Sequence, residues 1–293
     1  MKVPMIISLP QIIDERGNLS FIEENKHIPF IVQRVFWIYD VPGGEKRGEY
    51  AFKEQEQVII ALSGSFDIVL DNGQETKTFS LNRSYYGLYI PAGNWRHLEN
   101  FSTNAVALIV CSTHYSEHDY IRDYKQFKNY SFSTIQKSCL IESNLIALNQ
   151  DSQRGKESSI NDCSLLYLDK NHRIKGNMTV LEAGSTMPFH IKRIYYLYDI
   201  PGGEERGGHA HKALRQWIIA VSGSFDVELS DGNYKKTVTL NRPYQALTIV
   251  PGIWRELKNF SSGAICLVMA SHEYDESDYI REYKDYLKWK NNG

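Results

Sequence analysis

The feature that most constrains this chain is that it is written twice. The stretch RVFWIYDVPGGEKRGEYAFK at residues 34 to 53 aligns with RIYYLYDIPGGEERGGHAHK at 193 to 212, with eleven identities in twenty positions. The offset of 159 then persists: SGSFD recurs at 63 and 222, LNR at 81 and 240, WR at 95 and 254, and DYIR at 119 and 278. A fixed internal period means that one structural unit has been duplicated, and it must be recognised before any other element is assigned. Each unit is about 135 residues, an ordinary domain size. The sequence therefore predicts two domains, residues 1–137 and 138–293, with the polar stretch QDSQRGKESS as an exposed connection.

Within each unit the pattern is that of short strands. RQWIIAVSGSFDVELSDG alternates β-rich runs with Ser-Gly-Ser and Ser-Asp-Gly breaks, as hairpins require. Regular short strands with Gly, Asp and Pro punctuation predict an all-β fold, a jelly-roll β-barrel in each half. Each unit closes on a different signal. SDYIREYKDYLKWK and HDYIRDYKQFKNY space their apolar residues at helical intervals, which predicts a short C-terminal helix starting at the Ser, Asp or His.

The two copies differ where chemistry is expected. RGGHAHK in the second becomes RGEYAFK in the first, so His209 and His211 are replaced by Tyr50 and Phe52. Residues two apart on a strand share a face, and both imidazoles are therefore expected in one cavity. Glycines just before them permit close approach of backbone to ligand. Two satisfied, half-buried histidines without chemistry are the bland alternative.

On YDIPGGEERGGHAHK, SGSFDVELSDG, VPGIWRELKNFSSGAICLVMAS and YDESDYIREY, the second unit resembles the cupins of the WxcM-like group, specifically the sugar-nucleotide 3,4-ketoisomerases that act on dTDP-4-keto-6-deoxyglucose. The first unit matches the same frame through YDVPGGEKRG, SGSFDIVLDNG, FSTNAVALIVCS and HDYIRDY, and departs at the histidines. The resemblance implies two tandem cupin domains and a dTDP-linked keto-deoxysugar as substrate, with no cofactor. It implies an isomerase that moves a ketone from C4 to C3 through an enediol, in deoxyamino-sugar and surface polysaccharide biosynthesis. Imidazole suits such reversible proton transfer near neutrality. One of His209 and His211 is expected as base and the other as relay. Arg193, Arg206 and Arg255 are expected to meet diphosphate or enolate, because guanidinium is always charged and offers paired donors. Gln216, Trp254, Tyr196 and Tyr198 complete the expected substrate-binding set. The alternatives are a 3,5-epimerase-like enzyme or a metal-dependent dioxygenase on the same fold, or a non-catalytic sugar-binding cupin.

No metal is expected. Residues 212 to 216, after His211, carry no carboxylate, and Trp254 and Arg255 fall near where a third histidine would be expected, so a metal would need Glu256 or Glu204 to fold inward. The first unit is expected to be catalytically silent, since phenylalanine cannot transfer a proton and tyrosine, with an ordinary pKa of about 10, is a weak base. The resembling enzymes are homodimers that exchange N-terminal strands, so the fusion is expected to form a pseudo-dimer within one chain, with further homodimerisation left open. A net charge of −2 offers no broad attraction to nucleic acid or anionic membrane. There is neither a signal-peptide pattern nor an 18-residue apolar run, and a cytoplasmic location is expected. The four cysteines stand singly, without a C-x-x-C pair.

Overall fold

A computed structural model describes residues 2–130 and 155–291, so the expected boundary near residue 137 lies outside the described residues. The described chain forms two seven-stranded and two five-stranded antiparallel sheets. In the first unit, the smaller sheet runs Tyr120–Ile121, Arg47–Phe52, Trp95–Glu99, Phe66–Asp71 and Thr76–Leu81 in spatial order. The second unit repeats that order with Tyr279–Ile280, Arg206–His211, Trp254–Lys258, Phe225–Ser230 and Lys235–Leu240. Each smaller sheet packs on a larger one, as the jelly-roll reading requires.

The larger sheets are built from both halves of the chain. In the first, strand Arg34–Tyr39 pairs on one side with Val106–Cys111 of its own unit. Its other side takes Gly176–Glu182 from the second unit, with Asn177 opposite Tyr39 and Glu182 opposite Arg34. The reciprocal pairing joins Asn18–Glu23 of the first unit to Arg193–Tyr198 of the second, with Asn18 opposite Tyr198 and Glu23 opposite Arg193. The pseudo-dimer is thus a reciprocal strand exchange within one chain. Each exchanged strand covers a sheet edge that would otherwise present unpaired backbone groups. Gly17 makes the first crossing feasible: its φ is +112°, and a Cβ there would meet Ile200 and the Asp199 carbonyl at 2.8–3.2 Å.

Three cores result. Phe36, Ile38, Ile68 and Ile109 fill the first barrel, and Leu197, Ile218, Val227 and Val268 the second. The largest cluster lies between the two seven-stranded sheets and includes Trp37, Tyr39, Tyr196, Tyr198, Trp217 and Met269. This explains why RVFWIY and RIYYLY are apolar without alternation: one face of each strand looks into its own barrel and the other into the shared core. Trp37 Nε1–H donates to the Pro243 carbonyl at 2.9 Å, and the Tyr196 hydroxyl donates to the Ser84 carbonyl, so each unit clamps a turn of the other.

The terminal helices begin later than the periodicity predicts. Asp275 caps a single 3₁₀ turn, Glu276–Asp278, after which Tyr279–Ile280 is a strand beside Ala210–His211. The helix proper is Tyr283–Asn291. In the first unit Asp123 caps Tyr124–Asn129 by accepting the Gln126 N–H. Cys111, Cys163 and Cys266 are buried free thiols, while Cys139 lies outside the described residues. Among the described residues no helix is long and apolar enough to cross a membrane.

Candidate active site

The strand Arg206–His211 carries a bulge. Gly207 pairs with Glu256 and His209 with Arg255, leaving Gly208 as the extra residue. Both glycines have positive φ, +90° and +66°. Such a bulge re-aims the side chains that follow it. Ala210 points away into a buried cluster with Trp254, Ile280 and Tyr286. His209 and His211 share the opposite face, their ring centroids 5.1 Å apart and nearly perpendicular.

The two imidazoles have different surroundings. His209 lines a cavity of about 460 Å³. His211 is absent from that lining and is 2% exposed, with Nδ1 2.8 Å from Asp278 Oδ2. The other oxygen of Asp278 accepts the Ala213 N–H at 2.7 Å, which fixes the carboxylate. With Nδ1–H donating to Asp278, Nε2 of His211 keeps its lone pair, and that atom is buried without a partner, as is Nδ1 of His209. Burial, followed by the nearby Arg255 guanidinium, holds both histidines well below the ordinary imidazole value. Both are therefore neutral at pH 7. The Tyr279 ring packs against both, 5.0 Å from His209 and 4.2 Å from His211.

The cavity is strongly cationic. Arg16, Arg193, Arg206, Arg255 and Arg281 line it, and no carboxylate does. Arg255 is fixed by donating to the His209 carbonyl at 3.1 Å and to Gln216 Oε1 at 2.7 Å. Gln216 Nε2 in turn donates to the Tyr195 hydroxyl at 2.8 Å. Arg193 Nη2 reaches the Tyr279 hydroxyl at 3.3 Å, while its Nε is buried without a partner. Arg206 Nη1 donates to the carbonyl of Gly17 at 3.0 Å. A concave site with preset guanidinium donors and apolar walls suits a phosphorylated ligand bearing a ring.

Four of the expected substrate-binding residues are placed elsewhere. Tyr196 and Tyr198 face the shared core between the units, because residues 193, 195 and 197 are the ones turned into the barrel; Tyr195, not Tyr196, lines the cavity. Trp254 is one position out of phase with Arg255. It is buried against Tyr283 and Tyr286, and its Nε1–H donates to Glu256 at 3.0 Å. Gln216 sits beneath the cavity and positions Arg255 instead of touching ligand space. Arg193, Arg206, Arg255 and His209 do line it.

Other lining residues escaped the sequence reading. Ile12, Arg16, Leu19 and Phe21 come from the first unit, carried in by the exchanged strand. Tyr279 and Arg281 come from the segment read as helical, and Tyr274 lies just ahead of it. Glu256 is engaged by Lys258 at 2.7 Å as well as by Trp254, and among the described residues no three His, Cys, Asp or Glu side chains converge as a metal-ligand set.

The sequence model of the family FdtA, WxcM-like, C-terminal, matches residues 2–131 and again 161–291. The TDP-4-oxo-6-deoxy-alpha-D-glucose-3,4-oxoisomerase of Aneurinibacillus thermoaerophilus is 42% identical over 125 residues, covering 43% of this chain and 90% of that protein. Among solved structures, a 3,4-ketoisomerase from Helicobacter canadensis is 44% identical, covering 44% of this chain and 98% of that one, with a TM-score of 0.44. The WlaRB TDP-quinovose 3,4-ketoisomerase of Campylobacter jejuni is also 44% identical, covering 44% and 99%, with a TM-score of 0.43. With the family matched once in each half of the duplication, the chain belongs to the WxcM-like family as two fused copies of its domain.

Proposed function

We propose that the protein is a sugar-nucleotide 3,4-ketoisomerase, in which the second unit moves the ketone of a dTDP-4-keto-6-deoxyhexose from C4 to C3. His209, the imidazole that faces the cavity, removes the proton from C3. The electron pair moves to the C4 carbonyl oxygen, which becomes the enolate held by Arg255 and Arg193. The proton of the C3 hydroxyl passes to the C4 oxygen, and collapse of the resulting enediolate forms the C3 ketone as the proton held by histidine is delivered to C4, so no electrons are gained or lost. His211, turned by Asp278 and adjacent to His209, is the relay. Fixed donors aimed at the developing oxyanion are worth more in a water-poor cavity than in bulk solvent. A cytoplasmic place in making a deoxyamino sugar for surface polysaccharide accords with this reading.

The observation that carries this assignment is His209 facing a cavity lined by five arginines and no carboxylate, with Arg16 and Arg281 held from outside the lining by Asp14 and Glu276, backed by the His211–Asp278 pair. Proton NMR of dTDP-4-keto-6-deoxyglucose with the enzyme in deuterium oxide is the test. The ketone should migrate and deuterium should appear at C4. Unchanged substrate, or label at C5 as an epimerase would leave it, overturns the reading.

The depressed histidine pKa values also set a pH dependence. A base that stays neutral below its usual value keeps kcat/KM flat as pH falls from 8 to about 6.5, with loss confined to more acid solution. A pH profile with its acid midpoint above about 6.5 would contradict this assignment.

The first unit, by the same reading, is silent. Tyr50 and Phe52 stand in the places of the histidines, their rings 5.3 Å apart, with Tyr120 packed against both. The local backbone is kept at a cost: Glu49 adopts a φ of +66° where the active copy has glycine, a strain of about 1–3 kcal/mol.

A further inference from the structure

The silent unit has lost the base but kept the cations. Four of the five cavity arginines of the second unit have an arginine 159 residues earlier: Arg34, Arg47, Arg96 and Arg122. Two of them, Arg47 and Arg122, keep the geometry of their counterparts, whereas Arg34 Nη2 donates to Gln55 Oε1 at 2.7 Å and Gln57 Oε1, the equivalent of the Gln216 oxygen that holds Arg255, is buried without a partner. Arg47 Nη1 donates to the Gly176 carbonyl at 2.8 Å, as Arg206 does to Gly17. Arg122 lies 4.2 Å from the Tyr120 ring centroid and bonds Glu117, as Arg281 lies 4.3 Å from Tyr279 and bonds Glu276. Nε of Arg34 is buried without a partner, as is Nε of Arg193.

The strand exchange makes this first cage more positive than its active sibling. In the second unit Asp14 pairs with Arg16 at 2.7 Å and lies 3.8 Å from Arg206. At the equivalent positions the exchanged strand of the first site carries Arg173 for Asp14 and Lys175 for Arg16. Glu45 is 3.8 Å from Lys175 and answers Glu204 of the other copy, while Glu49, at the place of Gly208, adds one acid against the change of two charges from Asp14 to Arg173. Arg34 and Arg96 are 3% and 2% exposed, and among the described residues neither has a carboxylate partner. Arg96 instead lies 4.6 and 4.5 Å from the Tyr50 and Phe52 ring centroids. Buried guanidinium groups without a counter-ion are costly, and an entering anion offsets that cost. Scaffolding alone does not call for such a set of charges, since apolar residues of the same volume would pack as well or better.

We propose that the first unit is a binding site for a nucleoside diphosphate, which it holds without converting. The diphosphate meets the retained arginines, while Tyr50 and Phe52 fill the place where the reacting sugar carbons meet histidine in the second unit. This rests on reading the second unit as a sugar-nucleotide site.

Titration calorimetry of the full chain with thymidine diphosphate tests it. Two equivalents per chain are expected. Arg122→Glu, at an exposed position, should weaken one of them at least ten-fold and leave turnover at saturating substrate unchanged; Arg281→Glu should weaken the other. A single equivalent that responds to Arg281→Glu and not to Arg122→Glu overturns the proposal and leaves the assigned activity standing. Two equivalents without ketone migration support the first site and remove the activity. No binding to either unit overturns both.

Discussion

Replacing His209 by asparagine is expected to lower kcat by about 10²–10⁴ while leaving nucleotide affinity within a few-fold of the parent, the span that one positioned acid-base group supplies. The split follows from the division of labour in the cavity. Binding is carried by guanidinium groups fixed by other partners: Arg255 by Gln216, and Arg206 by the Gly17 carbonyl. Neither contact involves the His209 side chain. Asparagine keeps a polar group of similar reach in a half-buried position but cannot accept and return a proton at neutral pH. His211→Asn should also reduce kcat, yet its loss need not add to the first, because two groups in one relay fail as a unit. Steady-state kinetics with a parallel binding titration decides the matter. A His209→Asn enzyme within ten-fold of parental kcat would remove histidine from the role of base.

How much of this site is readable in the letters depends on the kind of signal. The duplication and the histidine pair are local or periodic, and they stand out without coordinates. So does the strand-rich character, because Ser-Gly-Ser at 222 to 224 leaves a hairpin little choice. The face of RIYYLY is another matter. A period of two shows that Arg193 cannot share a side with Tyr196, but both sides are apolar because one packs a barrel and the other the shared core, so the pattern does not say which looks inward. Trp254 and Arg255 pose the same problem, since a slip of one residue exchanges their surroundings. The DYIREY segment misleads for a different reason. Its helical spacing is genuine from Tyr283 onward, but Tyr279 and Ile280 are claimed first by the backbone of Ala210 and His211, a partner some seventy residues away. That tertiary pairing brings Asp278 to His211 and Tyr279 to both imidazoles. Least visible of all is Arg16. It reaches the cavity beside a strand pairing between residues 170 or more positions apart, for which no local pattern exists.

That same pairing makes a second large effect expected: residues 138–293 expressed alone should not yield an active monomer. Without Asn18–Glu23, strand Arg193–Tyr198 becomes an open edge, and its own Gly176–Glu182 has no Arg34–Tyr39 on which to lie. The face of the shared core that includes Ile194, Tyr196, Tyr198, Trp217, Leu267 and Met269 would be stripped of its cover. Exposing six such side chains at about 1.5–3 kcal/mol each removes roughly 9–18 kcal/mol, at least comparable to the whole stability of a domain. Two copies can repair each other, because the repeat places Gly176–Glu182 in register to cover Arg193–Tyr198 of another molecule, with Glu182 opposite Arg193 as Glu23 is here. Light scattering should therefore report a dimer. Its cavity would be changed at the rim, with Lys175, Met178 and Val180 where the full chain supplies Arg16, Leu19 and Phe21. Arg16, whose fork is held by Asp14, gives way to Lys175, and Asp14 itself to Arg173, so the KM of the dimer should differ from that of the full chain. A soluble, fully active monomer would mean that neither the exchanged strand nor Arg16 matters to the second unit. The fusion would then need another reason to exist.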